Sequence, residues 1–245
     1  MREQADLASE IQGNSVADIQ KRQAAEAAMG EIRSGMRIGL GTGSTAKHFV
    51  DLLGARVAEG FECICVPTSE VTAAQARGLN IPLSDLDALD GLDLTVDGAD
   101  EIDGQRNLIK GGGGALLREK IVADASARMV VIADGSKVVD QLGAFPLPIE
   151  VNMFGLGATR ARVNAVIKAH GAEGGLELRQ GADGQAFRTD GGHLIFDAFF
   201  GRISDAKALS AALLDVPGVV QHGLFIDMCD AAYIARADGV AKLGD

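Results

Sequence analysis

The sequence predicts an α/β protein: a Rossmann-like parallel sheet with helices on both faces, joined to a smaller α+β domain of the ferredoxin-like (βαββαβ) kind. Three observations predict it. Short apolar runs alternate with stretches of helical spacing, glycine-containing loops follow the runs, and beyond Phe145 the rhythm changes to β-α-β-β-α-β. Alternating strands and helices imply a buried parallel sheet, and right-handed crossovers would set the loops that follow its strands along one edge.

Ser15 is an N-cap candidate with an acid three residues on, at Asp18, and the Ala-rich run behind it predicts a helix that stops at Gly35. MRIGL then reads as a strand, GTGS as a glycine loop, and STAKHFVDLLGARVAEG as a helix up to Gly60. The unit repeats with FECICVPT as a strand, SEVTAAQARG as a helix and IPLSD as a further short strand. LDLTV is the next strand, followed by the loop DGADEIDGQRNLIKGGGG, the helix ALLREKIVADAS and the strongly apolar strand RMVVIAD. After FPLP come the strand IEV, the helix GLGATRARVNAVIKAHG, the strand LELRQ, a polar turn at RTDGG and the strand HLIFDAFF. The helix DAKALSAALLDV and a strand VVQHGLFI complete the second module. AAYIARADG is too short to stand alone and is expected to return to the first sheet. The resulting division is 1–146 with 230–245 for the Rossmann-like catalytic domain and 147–229 for the ferredoxin-like domain.

Composition excludes several function classes. Of 245 residues, 47% are hydrophobic and 23% charged, which fits a globular chain and argues against disorder. A formal charge of -11 with no Lys/Arg cluster excludes a nucleic-acid or anionic-membrane surface, although a few local cations and backbone N–H groups suffice for a small anion. Cys63, Cys65 and Cys229 are too few for a disulfide framework or a four-ligand zinc site, and the first two read as buried thiols on one face of a strand. The N-terminus carries acids and no apolar h-region, and no apolar stretch approaches the roughly 18 residues of a spanning helix, so the cytoplasm is the expected location.

Four loops carry chemistry. GLGTGST places N–H groups and a helix start where an anion could bind, but Ser44 stands where the third glycine of a dinucleotide fingerprint belongs, and the next strand ends in Val-Pro-Thr without a ribose-binding acid. VDGADEID ends a strand with Asp97 and Asp100, which can coordinate a metal, exchange protons, orient sugar hydroxyls or form a solvated turn. IKGGGGALLREK has no Lys-Ser or Lys-Thr closing its glycines, so it is no nucleotide-triphosphate loop. Lys110 stands before those glycines, able to set a cation beside an oxyanion. On the helix that follows, Glu119 shares a face with Ala115, Leu116, Val122 and Ala123; a carboxylate among apolar groups has a raised pKa, which suits a general base. ADGSK adds Lys137 on the same expected edge.

Taken in order, GTGST, VDGADEI, IKGGGGALLREKI, ADGSK, FPLPIEV and GVV-x-x-GLF resemble the type A ribose-5-phosphate isomerases over nearly the whole chain from Ser15. The resemblance implies an aldose–ketose isomerase of the non-oxidative pentose phosphate pathway that interconverts ribose 5-phosphate and ribulose 5-phosphate. By it, Glu119 matches the proton acceptor, Asp97 and Asp100 match carboxylates that contact sugar hydroxyls and assist ring opening, and Lys110 matches a lysine facing the reacting oxygens. Lys137 matches a substrate-binding lysine, and Thr42, Gly43, Ser44 and Thr45 match the other substrate loop. Gly98, Ala99, Gly111, Gly112 and Gly113 complete the implied substrate contacts, and Lys21 is a looser match near the N-terminus. The resemblance further implies an enediolate intermediate, no cofactor, no metal, and a homodimer or homotetramer. A sugar-phosphate sensor, a sugar-phosphate deaminase of similar fold and a hydrolase with a metal at the Asp97 and Asp100 pair are the rival readings; a sensor would not need Glu119 and would usually carry a basic DNA-binding segment, which is absent here.

Overall fold

A computed structural model describes residues 16–172 and 174–244. The Ser15 cap lies outside the described residues, but the helix predicted behind it runs over 16–28 (α1) and ends in a 3-10 turn at Met29–Glu31. The chain continues through β1 (Met36–Leu40), α2 (Ser44–Ala58), β2 (Cys63–Pro67), α3 (Glu70–Gly78) and β3 (Leu94–Asp97). Two short strands, β4 (Glu101–Ile102) and β5 (Leu108–Ile109), precede α4 (Leu116–Asp124) and β6 (Met129–Asp134). The second module comprises β7 (Leu147–Val151), α5 (Leu156–Ala169), β8 (Leu176–Leu178), β9 (Leu194–Ala198), α6 (Ala206–Leu214) and β10 (Val219–His222). Then follow β11 (Leu224–Phe225), β12 (Ala231–Arg236) and β13 (Gly239–Gly244).

The main sheet has the order β13-β12-β6-β3-β1-β2, parallel throughout except for the β12–β13 hairpin. The chain thus returns to the first sheet at β12, as expected, with β13 as an unforeseen edge. Strand alternation divides the core: Val130 and Ile132 pack with Ala24, Phe49 and Leu53 of α1 and α2, while Met129, Val131 and Ala133 pack with Ala123 of α4 and with Phe225. Cys63 and Cys65 are buried on the first side, their sulfurs 3.7 Å apart, as the alternation predicted. The second sheet is antiparallel with the order β10-β7-β9-β8, so the fourth strand of the β-α-β-β-α-β run lies beside the first, and α5 and α6 cover it through Val163, Ile167, Leu209 and Leu213.

Three sequence readings need correction. IPLSD is no strand: Pro82 has no N–H to give a ladder, and only an isolated bridge joins Leu83 to Cys65. The long loop after β3 contains the β4–β5 hairpin, joined by β11 in a third, three-stranded sheet. VVQHGLFI is not one strand but two, because the chain leaves the second sheet at Gly223 and crosses to β5. A Cβ there would lie 2.2 Å from the Lys110 carbonyl oxygen, so only glycine permits the crossing.

Among parallel strands, β1 connects to β2 on one side and the chain then returns to β3 on the other. This switch leaves a crevice at the carboxyl ends of β1 and β3, where open α/β sheets bind ligands.

Candidate active site

The crevice starts from two backbones in close approach. A Cβ on Gly41 would fall 2.2 Å from Asp97 Oδ1, so the missing side chain lets the loop after β1 lie on the end of β3. The Thr42 N–H donates to Asp97 Oδ1 at 3.1 Å, and the Gly98 N–H donates to the same oxygen at 2.7 Å. The Thr42 hydroxyl is engaged elsewhere, with those of Thr68, Ser69 and Thr72 at 2.7, 2.8 and 3.1 Å. Gly43 and Ser44 are exposed at the start of α2, whereas Thr45 is buried.

Lys110 reaches this centre from the opposite side. Its backbone extends β5, where its N–H donates to the Gly223 carbonyl at 2.9 Å, and its side chain is 2% exposed. The ammonium lies 2.9 Å from Asp97 Oδ2 and 3.4 Å from Glu119 Oε1, and donates to the Gly98 carbonyl at 2.6 Å. Burial alone would depress its pKa, but the facing carboxylates of Asp97 and Glu119 outweigh that and hold it above its ordinary value. A permanent cation is thereby fixed between two buried acids.

Glu119 sits in the first turn of α4, on the buried face with Leu116, Val122 and Ala123 that the helical wheel predicted. Burial raises its pKa to about 8; the Lys110 ammonium opposes the shift, and the charges of Asp97 and Asp100 add to it. Its Oε2 is buried and has no hydrogen-bond partner among the described residues. An ionisable group held this way, with one oxygen uncommitted, is equipped to exchange a proton. Burial pushes Asp97 upward as well, against the pull of Lys110 and its N–H donors.

Asp100 receives the Gly112 N–H at 2.7 Å, which ties it to the glycine loop. Lys137 ends a 3-10 turn after β6, capped by Asp134 through the Ser136 N–H, and no ion pair holds its ammonium among the described residues. All the sequence-predicted positions except Asp97 and Lys21 line one cavity of about 90 Å³, whose mouth is formed by the exposed Gly43, Ser44, Gly112 and Gly113. Asp97 lies behind it, fully buried beneath Lys110, and Lys21 is half-buried on α1. A larger cleft of about 750 Å³ opens beside α3 and α4, but convergence of buried charges, not size, marks a site of chemistry.

Sequence reasoning missed two basic residues near the site. Lys120, next to Glu119 on α4, donates to Gln221 Oε1 at 2.9 Å and to the carbonyls of His222 and Leu224 at 2.7 and 2.8 Å, anchoring α4 on the β10–β11 corner. Arg179, just past β8, donates to the Gly111 carbonyl at 2.7 Å. Neither carried a local signal, since the partners of both lie far along the chain and include backbone carbonyls that no side-chain pattern reveals.

An open α/β sheet with buried acids and a cation at its switch point defines an enzyme of acid–base chemistry. A family-wide sequence pattern described as ribose 5-phosphate isomerase A (phosphoriboisomerase A) matches residues 64–239. A protein of Rhodopseudomonas palustris named ribose-5-phosphate isomerase A is 61% identical over 223 residues, 91% of this chain and 96% of that one. Its namesake in Nitrobacter hamburgensis is 60% identical over the same shares. Among solved structures, ribose 5-phosphate isomerase from Plasmodium falciparum superposes with a TM-score of 0.87 at 37% identity, covering 93% of this chain and 99% of that one. A further D-ribose-5-phosphate isomerase, in complex with phospho-erythronic acid, also gives 0.87 at 37% identity, with 94% and 99% covered. The chain belongs to the ribose 5-phosphate isomerase A family, and it is an aldose–ketose isomerase.

Proposed function

We propose that the chain interconverts D-ribose 5-phosphate and D-ribulose 5-phosphate through an enediolate, with Glu119 as the proton acceptor. The observation that carries this reading is the buried Glu119 carboxyl, raised to about 8, with a free oxygen and the Lys110 ammonium at 3.4 Å. A base near the working pH combines adequate ionisation with strong affinity for a carbon-bound proton.

The sugar must first open from its ring to the free aldehyde. Asp100, on the cavity wall, is the carboxylate we assign to moving the ring hydroxyl's proton. Glu119 then takes the proton from C2 and electron density moves to the carbonyl oxygen at C1; the O2 hydroxyl proton passes to O1, and the same carboxyl returns its proton to C1 as the ketone forms at C2. Lys110 faces the oxygens that gain charge in both halves, and stabilising a developing oxyanion in a water-poor site is the largest electrostatic contribution such a group can make. Lys137, which lines the cavity, and the N–H groups opening α2 are the assigned phosphate contacts. The reading also includes a two-domain division near residues 146 and 230, a homodimer or homotetramer, and a cytoplasmic setting.

The test is proton NMR in D2O with chelator-treated protein and ribose 5-phosphate. Ribulose 5-phosphate should form with deuterium entering at the migrating carbon. Release of ammonia from an amino-sugar phosphate without turnover of ribose 5-phosphate would favour the deaminase reading, and binding without turnover would favour the sensor.

A further inference from the structure

The glycine loop between β5 and α4 has no side chains of its own to hold it, yet both faces of one of its peptides are gripped. On one side the Gly112 N–H donates to Asp100 Oδ2 at 2.7 Å. On the other, Arg179 Nη1 donates to the Gly111 carbonyl at 2.7 Å and to the Gly112 carbonyl at 3.2 Å. Arg179 is in turn fixed by Asp197 of β9, with Nε to Oδ2 at 2.8 Å and Nη2 to Oδ1 at 2.5 Å, a two-point pair whose side chains are 13% and 18% exposed. Phe187, in the turn between β8 and β9, closes the far end of the loop, since a Cβ on Gly114 would lie 2.4 Å from its ring.

The peptides are trans, so N–H and C=O of each point in opposite directions. With the Gly111 carbonyl drawn to Arg179, the Gly112 N–H is turned onto Asp100. With the Gly112 carbonyl drawn the same way, the Gly113 N–H is turned away from Arg179, and Gly113 itself lines the cavity. The run Asp197, Arg179, peptide 111–112, Asp100 is therefore a continuous charge-assisted chain from the antiparallel sheet to the site.

We infer that Arg179 is a positioning residue for the isomerisation: held by Asp197, it sets the direction of the glycine-loop N–H groups and the carboxylate of Asp100. This inference rests on the isomerase reading above. Its partner groups belong to the second sheet, which otherwise contributes no residue to the predicted site, so it also gives that module a task in turnover.

The experiment compares wild type, Arg179→Ala, Arg179→Lys and Asp197→Asn, measuring kcat and KM for ribose 5-phosphate, inhibition by phospho-erythronic acid as a carboxylate mimic of the enediolate, inhibition by inorganic phosphate, and thermal unfolding. Arg179→Ala should lose roughly tenfold or more in kcat, as small misplacements of catalytic groups do. Binding of phospho-erythronic acid should weaken in proportion to kcat/KM, while inhibition by inorganic phosphate should stay within about twofold. Arg179→Lys should recover part of the loss, and Asp197→Asn should show a smaller loss of the same pattern. Folded Arg179→Ala and Asp197→Asn variants with wild-type kcat and wild-type phospho-erythronic acid binding would overturn the inference while leaving the isomerase reading intact. Equal weakening of both inhibitors would reduce Arg179 to a general structural role and overturn it too. Absence of ribose 5-phosphate turnover in wild type would instead sink the isomerase reading.

Discussion

The two glycine loops that face each other across the cavity are held in different ways. The first, at 41–45, is fixed largely by hydroxyls that follow within one strand and helix: Thr42 meets Thr68, Ser69 and Thr72. The second, at 110–114, is fixed almost wholly from elsewhere in the chain, by Asp100, Gly223, Arg179 and the ring of Phe187. Of the groups with perturbed ionisation, Lys110 and Glu119 border the second loop, while Asp97 is bonded to the first. A loop with self-sufficient side-chain bonds tolerates a lost contact, whereas a bare backbone loop inherits every displacement of its distant supports. Under the proposed function, binding the anion falls to the first kind of loop and aiming charge at a reacting atom to the second.

Glu119→Gln tests the chemical side of this contrast and should have the largest effect, lowering kcat by roughly 10² or more in a folded protein with KM little changed. Near-normal turnover would remove Glu119 as the base. In wild type, kcat/KM should climb with pH and level off above about 8, because the free enzyme's base must be ionised and burial has raised it to that value. A flat profile between roughly pH 6.5 and 8.5 would contradict it.

Gly114→Ala comes next. With φ at +81° and the Phe187 ring 2.4 Å from the added methyl, it should cost about 1–3 kcal/mol of stability and several-fold in kcat, since the loop must shift. Thr42→Val should have the smallest effect on turnover, within about threefold in kcat, while losing about 1–2 kcal/mol of stability in chemical denaturation from the unpaired hydroxyl partners. If Thr42→Val damaged kcat more than Gly114→Ala, the division of labour between the loops would be reversed.

The alternation of strands and helices was readable because periodicity is a local property: one turn of helix or two residues of strand already fix which side faces the core. The same held for Glu119, whose burial followed from a wheel of Leu116, Val122 and Ala123. The β4–β5 hairpin was not readable, since strands of two residues each leave no periodic trace. Nor was the break at Gly223, where the reason for the crossing is a carbonyl that belongs to Lys110.

By itself, then, the sequence determined the fold class, the edge on which the loops gather and the residue types brought together there, because each depends on neighbours within a few positions. Only the tertiary structure decided that Lys110 stands between Asp97 and Glu119, that the Thr42 hydroxyl turns inward, and that Arg179 grips the glycine loop. Those outcomes depend on distances between segments far apart in the chain, as does the burial that raises the pKa of Glu119.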